Sequence, residues 1–135
     1  MTSGRQEGQG VRLAGMRTVL LPDDPRFPAA LRVIPRPPKR LYVLGDPEAL
    51  TEGLAVVGAR KATPYGIGAA KRFARLAAQR GIAVISGGAR GCDAAAHEAA
   101  LSEGAPTVAF LGGGCDVPYL REREYDSIPA RHTEP

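Results

Sequence analysis

Cysteine is scarce in this sequence. Cys92 and Cys115 are too far apart for a close C-x-x-C metal pair, and two are too few for a disulfide framework in 135 residues, so a reducing compartment is expected. Long apolar runs are missing as well. Met1 to Arg17 is polar and glycine-rich, without the roughly 7–15 residue apolar stretch of a secretion signal, and no later segment reaches the span of a membrane helix. A cytoplasmic protein without a membrane partner is the expectation. Several catalytic signatures also fail. There is no G-x-x-x-x-G-K-[ST] loop, which argues against a Walker-type ATPase, and no H-E-x-x-H zinc helix. Gly66-Ile67-Gly68 lacks the third glycine of G-x-G-x-x-G and falls inside a candidate helix, so the dinucleotide fingerprint fails in register and spacing. Neither a metal nor a cofactor is expected.

What the chain does have is positive charge, unevenly placed. The net +4 comes from 18 basic and 14 acidic residues. Residues 1–54 carry 8 basic and 6 acidic groups, 55–101 carry 7 and 2, and 102–135 carry 3 and 6, or +2, +5 and −3. The middle third also holds the glycine motifs, as suits a site for an anion, although a solvated basic helix face gives a similar count. An apolar content of 44% supplies one domain with an ordinary core.

Residues 1–19 are assigned to a disordered tail, because they hold few large apolar groups to offset the entropy of ordering them. Residues 20–45 form a lead-in rich in proline (Pro22, Pro25, Pro28, Pro35, Pro37, Pro38), which precludes a long helix and favours an extended, wrapping segment. Leu31, Val33 and Ile34 are the candidates to pin it, and Leu41 to Leu44 is a candidate edge strand. Residues 46–119 form the core. Leu54 to Gly58, Ile82 to Ser86 and Thr107 to Leu111 read as strands buried on both faces. The first intervening helix has Thr63 as cap and Pro64 in its first turn, an inner face of Ile67, Ala70, Phe73, Ala74 and Ala77, and a stop at Gly81. The second runs from near Asp93 to Leu101 and ends at Gly104. Strand, helix, strand, helix, strand is half of a doubly wound parallel sheet, an α/β Rossmann-like architecture that binds ligands at the carboxyl ends of its strands. Residues 120–135 read as a charged tail.

Three strand-to-helix loops carry the candidate site. In the first, Gly58 turns the chain off its strand, Arg60 and Lys61 bring charge to the tip, and Thr63 with the amides leading to Tyr65 and Gly66 can meet a phosphate at the helix's positive end. Alone, this loop is equally an ordinary capped turn. In the second, Ser86, Gly87, Gly88, Ala89, Arg90 and Gly91 let backbone approach a ligand while Arg90 supplies a bidentate phosphate contact. The third has Gly112, Gly113 and Gly114 but no cation, and Asp116 there repels phosphate or accepts a hydrogen bond. His97 follows Asp93 by four residues, a spacing that predicts a mutual bond clamping the helix start. No serine, cysteine or second carboxylate is placed to make His97 a catalytic base. Cys92 and Cys115 read as small buried fillers.

Taken together, Val56-Val57-Gly58-Ala59-Arg60-Lys61-Ala62-Thr63-Pro64-Tyr65-Gly66, then Ser86-Gly87-Gly88-Ala89-Arg90-Gly91-Cys92-Asp93-Ala94-Ala95-Ala96-His97, then Phe110-Leu111-Gly112-Gly113-Gly114-Cys115-Asp116-Val117-Pro118-Tyr119 resemble the DNA processing protein A (DprA/Smf) family. Arg26-Phe27-Pro28-Ala29-Ala30-Leu31 and Pro37 to Gly45 are similar to the family's lead-in, so the resemblance covers about Leu20 to Tyr119. It implies a Rossmann-like fold that binds single-stranded DNA in natural transformation, protects it and assists a RecA-type recombinase, without catalysis. By motif, Arg60, Lys61, Thr63, Ser86, Gly87, Arg90 and Gly91 are assigned to the DNA backbone, with Asp93 and His97 shaping the second loop. Gly58, Tyr65, Gly66, Gly112 and Gly113 complete the candidate set. Past Tyr119 the chain departs from the family with Leu120 and a charged stretch from Arg121 to Asp126, so an incomplete sheet is expected, open to homo-oligomer formation or a completing partner. Two other readings stay open: a nucleotide-binding or nucleotide-processing domain, although the Pro-Gly-Gly-x-Gly-Thr loop of phosphoribohydrolases is missing, and an inactive remnant. Aromatic surface near the loops is thin, limited to Tyr65 and Tyr119, so weak, salt-sensitive, sequence-tolerant binding is expected.

Overall fold

The computed structural model describes residues 17–112 and 132–133. The lead-in begins with strand β1 (Arg17–Leu20), continues through a single-turn helix α1 (Ala29–Arg32), and returns as β2 (Leu41–Leu44). β1 and β2 pair antiparallel, with Leu20 opposite Leu41 and Val19 opposite Tyr42. Arg17, Thr18 and Val19, expected to lie in the tail, are thus part of a strand. The long-range ladder with β2 supplies the backbone hydrogen bonds that no local pattern around Arg17 announces.

One face of this ribbon is buried. Leu20, Phe27, Leu41 and Val43 form a cluster, with Leu31 and Leu50 packed against it. Phe27, 2% exposed, is its largest member. Of the three residues expected to pin the lead-in, only Leu31 does so. Val33 is 83% and Ile34 41% exposed, since both follow the end of a one-turn helix whose packed position is Leu31. Arginines fasten the turn: Arg26 donates from Nε and Nη2 to the Asp24 carboxylate at 3.0 and 2.9 Å. Arg32 donates to the carbonyls of Pro22 and Asp24 at 2.9 and 2.8 Å and lies over the Phe27 ring. The hydrogen bonds from the Arg26 side chain and backbone amide hold the Asp24 carboxyl down at about 2.

The core is a parallel sheet in the order β3 (Gly53–Ala55), β4 (Ala83–Gly87), β5 (Thr107–Phe110) and β6 (His132–Thr133). Helix α2 (Pro64–Gln79) links β3 to β4, and α3 (Cys92–Ser102) links β4 to β5. Strands succeed one another in chain order and the helices pack together on one face, so the described part is one winding of a Rossmann-like sheet. β6 pairs parallel to β5, with Thr107 opposite His132, inside the stretch expected to be a charged tail. β3 is exposed throughout, not buried on both faces as expected, because among the described strands it is the sheet's edge. Val57 beyond it is 73% exposed.

Alanines set the helix-to-sheet distance. Ala74 and Ala77 of α2, Ala96, Ala99 and Ala100 of α3, and Val84 of β4 make one buried cluster. Ala70, Cys92 and Ala95 make a second, nearer the helix starts. Packing at alanine spacing leaves no room for a ring, and Phe73, expected on the inner face, is 59% exposed. α2 ends where Gly81 takes φ +71, a left-handed stop that favours glycine. On the opposite sheet face, Ile85, Val108 and Phe110 border a cavity of about 920 Å³ shared with the lead-in.

Candidate functional site

The carboxyl ends of β3 and β4 direct both strand-to-helix loops to one rim, and contacts between the loops hold them there. The Cys92 amide donates to the Ala59 carbonyl at 3.2 Å. Gly91 has φ +80, and a Cβ there would collide with the carbonyls of Ala59 and Arg60. Gly58 is similarly close: a Cβ on it would lie 2.6 Å from the buried Cys92 Sγ. Each loop's glycine thus makes room for the other loop, and Arg60 and Arg90 are borne on neighbouring segments.

Arg60, Gly87, Gly88, Ala89, Asp93, Leu111 and Gly112 enclose a cavity of about 230 Å³. All three glycine loops contribute to it. Among the described residues nothing lies within 4 Å of where a Cβ on Gly112 would stand. Both helices begin at this edge and turn their positive ends toward it. Thr63 caps α2, its Oγ1 accepting from the Gly66 amide at 3.1 Å. Tyr65 on the first turn is 85% exposed, and Lys61 is exposed before it. Gly113, Cys115, Asp116 and Tyr119 lie outside the described residues.

Ser86, expected to contact phosphate, and His97, expected to shape the second loop, both turn out to be internal. Ser86 is 4% exposed and donates its hydroxyl to the Val56 carbonyl at 2.5 Å. Its side chain ties β4 to the strand beside it. His97 is fully buried: Nδ1 lies 2.6 Å from Thr107 Oγ1 and Nε2 lies 2.8 Å from the Gly87 carbonyl. A carbonyl only accepts, so Nε2 carries a proton and donates to Gly87. Desolvation lowers the pKa of the ring, against the opposing pull of the Gly87 bond and the charge of Asp93. In the neutral ring Nδ1 accepts the Thr107 hydroxyl proton, which also lies within reach of the Val84 carbonyl at 3.1 Å. Both ring nitrogens thus reach partners outside α3, in β4 and β5, while the charge of Asp93 acts on the ring from its own helix.

Asp93, 7% exposed, turns into the second loop, its Oδ2 accepting from the Ala89 amide at 3.4 Å. In the first turn of α3 the carboxylate also meets the positive end of the helix. It braces the loop and puts negative charge into the cavity wall. Leu111, which sequence reasoning left out of the site, enters the cavity lining beside Gly88 and Ala89. Nothing in the chemistry of a leucine marks it beforehand. Among the described residues no cluster of three or more His, Cys, Asp or Glu is arranged to hold a metal, and no helix is long and apolar enough to cross a membrane.

Known proteins resemble this chain in sequence and in fold. A Mycobacterium tuberculosis protein bearing the DNA processing protein DprA name is 41% identical over 115 residues, covering 75% of this chain and 30% of its own length. Protein Smf of Escherichia coli is 38% identical over 104 residues, covering 76% and 28%. The chain therefore spans under a third of the length of these relatives. The solved structure of DNA processing protein A from Streptococcus pneumoniae superposes with a TM-score of 0.76 at 28% identity, over 96% of this chain and 46% of that one. DNA processing protein A from Helicobacter pylori, whose structure describes a single-stranded DNA binding mode, gives 0.71 at 30% identity over 87% and 54%. Residues 18–128, including every loop of the rim, match the family described as DNA recombination-mediator protein A, and the chain belongs to that family.

Proposed function

We propose that this chain binds the sugar–phosphate backbone of single-stranded DNA at the loop rim and performs no chemistry on it. The convergence of three glycine loops around Arg60, beside the loop of Arg90, carries the reading. The charge around it is one-sided: no acidic residue occurs from Gly53 to Cys92, a stretch that holds seven of the chain's cations. Asp93 repels phosphate from the cavity itself. The strand therefore runs along the arginine-bearing rim, and the cavity admits a base or sugar edge able to donate to the carboxylate. His97 and Asp93, the groups suited to acid–base work, are engaged in holding the second loop. The single-stranded DNA named for the Helicobacter pylori relative accords with this reading.

Titration of labelled oligonucleotide against the wild type, Arg60→Ala and Arg90→Ala tests the proposal. Three phosphate contacts give a log–log salt slope of about −2, at roughly −0.7 per contact, and each substitution should flatten it. Equal affinities for all three proteins would remove the loops from the function. In its family context we extend the proposal to natural transformation, where the bound strand is passed to a RecA-type recombinase. A strand-exchange assay in which this chain leaves filament formation unaltered would refute that extension.

A further inference from the structure

Helix α2 is packed the wrong way round for an ordinary surface helix. It buries Ala70, Ala74, Ala77 and Ala78, with Ile67 packed beside them, and turns Tyr65, Phe73 and Leu76 outward, exposed by 85%, 59% and 38%. At 3.6 residues per turn, Tyr65, Arg72, Phe73, Leu76 and Arg80 fall within an arc of roughly 100°. They form one stripe about 22 Å long at 1.5 Å per residue, starting beside the loop rim.

The charges on α2 are sorted in the same way. Lys71 and Arg75 turn toward α3 and pair with Glu98 and Glu103 at 3.5 and 3.4 Å. On the outer stripe Arg72 makes no ion pair among the described residues, and Arg80 uses one donor on the Leu76 carbonyl at 3.1 Å. Lys61 at the head of the stripe adds a further exposed cation. Alternating rings and uncompensated cations fit a chain of phosphates with unstacked bases, since every base offers a face to an aromatic ring. An apolar partner segment would leave the arginines without counterions.

We infer that the outer face of α2 is a second binding surface for single-stranded DNA, along which a strand held at the loop rim continues, with Tyr65 and Phe73 stacking bases and Arg72 and Arg80 meeting phosphates. The inference rests on the single-strand reading of the rim. The rim grips a short segment, and α2 adds affinity only for strands long enough to leave it.

The test compares binding of an oligothymidylate of ~4 nucleotides with one of ~16, bracketing the sites used by single-strand-binding folds, for the full chain and for Arg72→Ser/Phe73→Ser. Both positions are exposed, and an unchanged melting temperature checks the fold. Arg72→Ser alone serves if the double variant melts early. The longer oligonucleotide should lose about tenfold in affinity, in line with the loss of one stacking contact. Its salt slope should flatten by about 0.7, and the shorter one should bind as before. Undiminished affinity for the longer strand overturns the inference and leaves the stripe to an acidic protein partner. An equal loss at both lengths overturns it too, because the effect would then not belong to strand leaving the rim. Failure of the wild type to bind either oligonucleotide would instead refute the rim itself.

Discussion

The buried imidazole of His97 donates to the carbonyl of Gly87 at 2.8 Å, so a side chain on α3 holds the last residue of β4 where the second glycine loop departs. Burial lowers the ring's pKa below its ordinary 6.5. As pH falls, the unfolded chain therefore takes up this proton before the folded one does. The stabilising contribution is fully present above about 6.5, the unfolded value, and declines as pH falls through it, until the folded ring also protonates. The melting temperature should drop between about pH 8 and about pH 5, and His97→Gln should flatten that dependence. The glutamine amide can still donate to the Gly87 carbonyl, whereas His97→Leu leaves that carbonyl without its donor and should cost about 1–3 kcal/mol. A wild-type profile superimposable on that of His97→Gln would remove the ring from the pH response.

Gly91 and Gly81 both have positive φ, +80 and +71, but only Gly91 sits against other backbone. Gly81→Ala meets open space and should cost about 1–2 kcal/mol from left-handed strain alone. Gly91→Ala adds a collision with the carbonyls of Ala59 and Arg60, and should cost more while parting the two loops. Chemical denaturation ranks the two variants, and oligonucleotide titration should find weaker binding for Gly91→Ala only.

Phe27 is the anchor of the lead-in, and Val33 is a bystander. Phe27→Ala should cost about 3–5 kcal/mol, as for other buried rings, whereas Val33→Ser should stay within about 0.5 kcal/mol. Equal effects in urea denaturation would show that the lead-in is not pinned through the cluster of Leu20, Phe27, Leu41 and Val43.

Ser86→Ala separates a structural hydroxyl from a ligand-binding one. Its bond to the Val56 carbonyl is internal, so the variant should lose about 1–3 kcal/mol of stability and retain the oligonucleotide affinity of the wild type. A weaker affinity at unchanged stability would restore Ser86 to the phosphate contacts.

Much of this architecture was legible in the chain before any coordinates. Thr63 and Pro64 start α2 and Gly81 stops it through local backbone chemistry, short apolar runs separated by two helical stretches imply parallel strands, and the glycine loops at their ends mark the candidate site. These features depend on near neighbours in sequence, which is why sequence suffices for them. Tertiary structure decided the rest. Ser86 looks like a ligand-facing polar group, and His97 like a local partner of Asp93, until Val56, Gly87 and Thr107, up to thirty residues away in the chain, claim their hydrogen bonds. Phe73 has the spacing of a core residue and is expelled because alanines bring α2 too close to the sheet for a ring. Which polar group stays outside and which large one is turned away depends on partners remote in sequence, and only the closed fold brings them together.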